Sequence, residues 1–68
     1  MKKKDLKNGM KVKIKNERDL WVVEDGRFYN KKHLYWIDLS MYSEDLYHKK
    51  ADYEIEAIYS VNGTKLKI

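Results

Sequence analysis

A small, mainly β domain is what this chain predicts, and three features carry that expectation. Met10-Lys11-Val12-Lys13-Ile14-Lys15 alternates apolar and charged residues without a fault, the period of a half-buried strand. Asn62-Gly63 stands between two further alternating runs, the strongest short-range signal for a hairpin. Several more short runs, separated by turn residues and free of proline, fit within 68 residues. Together they predict a single domain over 1–68, a small antiparallel five-stranded curled sheet or SH3-like barrel with one short helix or 3-10 turn.

Each element follows from local chemistry. Asp5-Leu6-Lys7-Asn8-Gly9 reads as one turn of helix that Gly9 ends. Met10, Val12 and Ile14 then share one strand face and Lys11, Lys13 and Lys15 the other. A three-residue loop, Asn16-Glu17-Arg18, sets Lys15 opposite Asp19, Ile14 opposite Leu20 and Val12 opposite Val22. Trp21 and Val23 then fall on the lysine side; a four-residue loop would turn them inward. The pairing of Lys15 with Asp19 favours the first register. Glu24-Asp25-Gly26 signals a turn. The runs Arg27 to Asn30 and His33 to Ile37 form a second hairpin or one bulged strand.

From Leu39 to Lys50 the alternation stops. Met41, Tyr42 and Leu46 suit one or two helical turns, with Ser43 as N-cap and Glu44 and Asp45 at the positive end. In the closing hairpin a type I′ turn at Asn62-Gly63 pairs Val61 with Thr64, Tyr59 with Leu66, Ala57 with Ile68, Ser60 with Lys65 and Ile58 with Lys67. The expected core is therefore Met10, Val12, Ile14, Leu20, Val22, Tyr53, Ile55, Ala57, Tyr59 and Leu66, with Trp36 added.

Composition narrows the function. A chain this short buries only about 60% of its unfolded surface. It has no cysteine, so no disulfide supports it, and six Tyr, two Trp and one Phe must supply much of the core. No apolar run reaches membrane-spanning length, and Met1-Lys2-Lys3-Lys4 is followed by Asp5 instead of an apolar segment, so a cytoplasmic protein is expected. The net charge of +4 is polarised. Residues 1–18 carry eight bases and two acids, and residues 38–56 carry six acids and two bases. Lysine outnumbers arginine thirteen to two, the bias of an AT-rich genome and not of bidentate phosphate reading.

Catalytic and metal chemistry find little footing. His33 and His48 lack a spaced ligand partner, the serines lack a nucleophile-elbow context, and the glycines stand singly. The expectation is no enzyme, no cofactor and no metal. One constellation stands out: Lys11, Lys13 and Lys15 on a strand face, with Trp21, Tyr35 and Trp36, joined by Tyr29, on that and neighbouring strands. Small barrels hold single-stranded nucleic acid in this way, bases on aromatics and phosphates on lysines. Core aromatics beside a solubilising lysine edge are the simpler account.

Asp5-Leu6-Lys7-Asn8-Gly9-Met10 and its following strand resemble the DLKxGM opening of small uncharacterised proteins encoded by phages and prophages of Gram-positive bacteria. Leu39 to Leu46 and Tyr53 to Tyr59 resemble their LxxYxxDL and following strand segments. The first turn here, Asn16-Glu17-Arg18, lacks the glycine usual in that family. The resemblance implies phage origin, a small β fold and an accessory or host-takeover role, and brings no functional residues with it. The leading expectation is a non-catalytic protein that binds a host or phage protein, an inhibitor of a host defence protein being one form. A nucleic-acid-binding module is second and a small-molecule sponge third.

Overall fold

The computed structural model describes residues 1–67, and the fold is mainly β. Six antiparallel strands form one sheet: β1 (Lys11–Ile14), β2 (Leu20–Glu24), β3 (Arg27–Asn30), β4 (Tyr35–Asp38), β5 (Ile55–Tyr59) and β6 (Lys65–Leu66). Their order across the sheet is β4-β3-β2-β1-β5-β6. The sheet has six strands in place of the expected five, and it does not close into a barrel: β4 and β6 remain edges. Of the expected short helix or 3-10 turn, the 3-10 form occurs, as three lone turns at Lys3–Asp5, Leu39–Met41 and Ala51–Tyr53.

The first hairpin adopts the inward-Trp21 register. Val12 faces Trp21, Lys13 faces Leu20 and Lys11 faces Val22. Continuing that register sets Ile14 opposite Asp19, with four residues between. Asn16 takes a φ of 67° in this loop, a conformation its short polar side chain tolerates. The expected Lys15–Asp19 pairing loses because an exposed ion pair contributes at most about 1 kcal/mol. Turning Trp21 and Val23 inward instead removes two large apolar side chains from water. Trp21 and Val23 are accordingly buried, Leu20 is exposed and Val22 half-buried, the reverse of the core expected for β2.

The two-residue type I′ turn lies between β2 and β3. Asp25 and Gly26 both have positive φ, 48° and 76°, and Glu24 pairs directly with Arg27. At the C-terminal hairpin the expected type I′ turn gives way to a three-residue loop. Ser60 N–H donates to Thr64 O at 2.8 Å, Gly63 N–H donates to Ser60 O at 2.9 Å, and only Gly63 is left-handed, at 92°. The side-chain oxygen of Asn62 accepts from the hydroxyls of Ser60 and Thr64, which holds Asn62 out of the left-handed region. Ile58 therefore pairs with Leu66 and Tyr59 with Lys65, one residue from the expected register. The expected pairing of Ala57 with Ile68 lies outside the described residues.

A β-bulge reconciles β5 with this shift. Val12 pairs with Ile58 and Lys13 with Ala57, but Ile14 pairs with Ile55, leaving Glu56 as the extra residue. Ile55 and Ile58, three positions apart, thus both reach the core side. Ile58 is fully buried and Ile55 half-buried, so Ile58 holds the central place expected of Ile55.

Met10, Val12, Ile14, Trp21, Val23, Phe28, Ile37, Tyr42, Leu46 and Ile58 form one core cluster. Of the expected core, Met10, Val12, Ile14 and Ala57 are buried, and Tyr53, Ile55, Tyr59 and Leu66 are half-buried. Trp36 is 51% exposed and lies outside it. The connection from β4 to β5 covers the core's open side. Tyr42 bridges to His48, and its hydroxyl, pushed far up in pKa by burial, donates to Tyr53 O at 2.6 Å. Ser43 caps no helix; its hydroxyl accepts from Tyr47 N–H and shapes the loop that buries Leu46.

Gly63→Val is expected to lower the melting temperature. No atom lies within 4 Å of a Cβ placed there, so the loss comes from forcing a β-branched residue to φ 92°, about 1–3 kcal/mol. Gly63→Asn should recover most of the loss, because Asn tolerates the left-handed region. Equal melting temperatures for all three proteins would contradict the turn.

Candidate binding surface

Strand alternation divides the sheet into a core face and an outer face. On the outer face one cross-strand row runs Trp36, Tyr29, Val22, Lys11, Tyr59, Lys65, read from the five pairings that join β4 to β6. Trp36 and Tyr29 stack with ring centroids 6.4 Å apart and planes 13° from parallel. The Arg27 guanidinium sits 5.4 Å from the Trp36 ring centroid, a cation–π distance. Beside this cluster lies an open depression of about 370 Å³, floored by Leu20, Val22 and Tyr29 and rimmed by Lys11, Lys31, Lys32 and Asp19. Asn30 is buried at its end, and its Oδ1 accepts from the backbone N–H of Lys32 and His33 at 3.1 and 3.2 Å. Those bonds hold the β3–β4 loop and both lysines over the depression.

The residues singled out in the sequence divide. Lys11, Lys13 and Trp36 share the outer face. Trp21 does not join them: it is 2% exposed in the core, where Tyr35 meets it edge-on at 6.0 Å. Tyr35, one residue from Trp36, belongs to the opposite face, and its proximity raises the pKa of the Tyr53 phenol. Lys15 lies past the end of β1, paired with Glu54 at 3.6 Å. Arg27, Leu20, Val22, Lys31, Lys32 and Tyr59 were not singled out as site residues. The signal for Arg27 and Tyr29 was Asp25-Gly26: read as a two-residue turn, it sets Tyr29 beside Val22 and Lys11.

No known family model, curated protein or solved structure matches this chain.

The acids are dispersed. Glu56 lies 3.3 Å from Lys13 Nζ, and Glu24 and Asp19 lie 3.8 and 3.9 Å from Lys31 and Lys32. Asp45 accepts from Lys2 at 2.7 Å, which holds its carboxyl below the ordinary carboxylate range. Asp38 is lowered too, first by the Ser40 N–H it accepts and then by Arg27 across the strand pair. Both contributions are present above the ordinary carboxylate range and fade as pH falls through the lowered values. Among the described residues, no group of three or more His, Cys, Asp or Glu side chains is placed to hold a metal ion. No helix among them is long and apolar enough to cross a membrane.

Proposed function

We propose that this chain is a non-catalytic phage or prophage accessory protein that binds a host or phage protein through the outer face of its sheet. An inhibitor of a bacterial defence protein is the most concrete form, acting in the host cytoplasm. The carrying observation is the outer-face cluster of exposed Arg27 and Trp36 with half-buried Tyr29. These are the residue types that dominate binding energy at protein interfaces. Two of them are already fixed by stacking, so little side-chain entropy remains to be lost on binding. The order β4-β3-β2-β1-β5, with a 3-10 turn leading into β5, supports an SH3-like build to which β6 is added.

A single-stranded nucleic acid is the second reading, favoured by the lysines and aromatics that share one row with Val22: Lys65, Tyr59, Lys11, Val22, Tyr29 and Trp36. Charge balance ranks it lower: Lys13 and Arg27, on the same face, each stand near a carboxylate.

Trp36→Ala and Tyr29→Ala are each expected to weaken capture of the partner from bacterial extract about thirtyfold or more, at least about 2 kcal/mol if these are hot spots. Melting temperature should stay nearly unchanged, because both side chains lie outside the core. No appreciable DNA or RNA binding is expected at physiological salt. Micromolar oligonucleotide binding that weakens steeply with salt and is lost in Lys11→Glu would overturn the ranking.

A further inference from the structure

We infer that the depression beside the aromatic cluster takes an acidic peptide segment carrying an aliphatic side chain. The inference rests on the outer face being a protein-binding surface and names the chemistry of what it binds. The floor is apolar, formed by Leu20, Val22 and the Tyr29 ring. Leu20 is 46% exposed although it is the first residue of an inner strand, an apolar side chain left in water on a sheet face.

Three ammonium groups overlook that floor against one carboxylate, Asp19. Lys11 has no carboxylate partner among the described residues, while Lys31 and Lys32, whose own side chains are 70% exposed, make only long contacts of 3.8 and 3.9 Å with Glu24 and Asp19. Such contacts contribute little and exchange readily for a better acceptor. Lysine side chains lay their aliphatic stems along apolar surface and keep their charges in water, so an incoming chain meets apolar side chains together with positive charge here. An aliphatic residue flanked by Asp or Glu matches both. A nucleic acid would meet the same lysines, but the floor between them offers one ring, Tyr29, and two aliphatic side chains to a base.

Titration of the isotopically labelled protein with a blocked pentapeptide, leucine flanked by two acids on each side, tests this by NMR. Backbone shifts are expected at Lys11, Leu20, Val22, Tyr29, Lys31 and Lys32. The Asn/Gln analogue of the peptide should bind at least tenfold more weakly, and Lys11→Glu with Lys31→Glu should abolish binding while leaving the spectrum folded. High salt should weaken the acidic peptide and leave the neutral one unchanged. Absence of shifts at millimolar peptide, shifts confined to other surfaces, equal binding of both peptides, or preference for an oligonucleotide would each overturn the inference. If only the inference fails, Trp36→Ala and Tyr29→Ala still weaken partner capture from extract. If the outer-face reading itself fails, those variants capture the partner normally.

Discussion

Trp21→Ala is expected to leave the protein largely unfolded at 37 °C. The side chain is 2% exposed and sits opposite Val12 at the centre of the core face. Truncating a buried Trp costs about 3–5 kcal/mol, through lost transfer energy and the cavity left behind. A chain of 68 residues has roughly 3–10 kcal/mol in total, so the loss consumes much or all of it. Trp21→Phe should be tolerated far better. It keeps most of the apolar volume and removes Nε1, a buried donor that finds no acceptor among the described residues. Urea titration followed by near-ultraviolet circular dichroism gives the comparison. A stable Trp21→Ala protein would restore the alternative register, in which Trp21 lies outside among the lysines.

Ile58→Ala is expected to cost about 2–5 kcal/mol, the range for a fully buried branched side chain. Ile55→Ala should cost clearly less, because Ile55 is half-buried at the edge of the same cluster. The ordering tests the β-bulge between the two residues. Without the bulge, strict alternation puts Ile55 and Ala57 inward and Ile58 outward, and the costs reverse.

That the fold is mainly β was legible, its strand number and open sheet were not, and the faces of the strands were only partly so. β1 read correctly because Met10, Val12 and Ile14 alternate with lysines, and no other arrangement buries them together. β2 opens Leu20-Trp21-Val22-Val23, apolar in both phases, so pattern alone could not choose its face. The deciding quantity was the area of Trp21, weighed against a surface ion pair. β5 failed for a different reason: alternation assumes an unbroken ladder, and the bulge at Glu56 changes phase within the strand. The Asn62-Gly63 signal located the last hairpin within one residue and missed the register, because Asn62 spends its side chain on Ser60 and Thr64. At the candidate surface Lys11, Lys13 and Trp36 were legible from alternation. The cluster of Arg27, Tyr29 and Trp36 was not, since it needed the β2–β3 and β3–β4 registers together.

The order of strands also sets an order of events. β1 through β4 meet through short connections, whereas β5 reaches β1 across 41 residues, from Ile14 to Ile55 (55 − 14). Closing that span costs about 1.5 kcal/mol more in chain entropy than closing the seven-residue separation of Lys13 and Leu20 (20 − 13). The four-stranded meander is therefore the natural nucleus, and β5 docks onto it late. Residues of the meander and residues of β5 should then separate by rate constant, not only by stability. Truncating Val23 slows folding, while truncating Ile58 chiefly hastens unfolding.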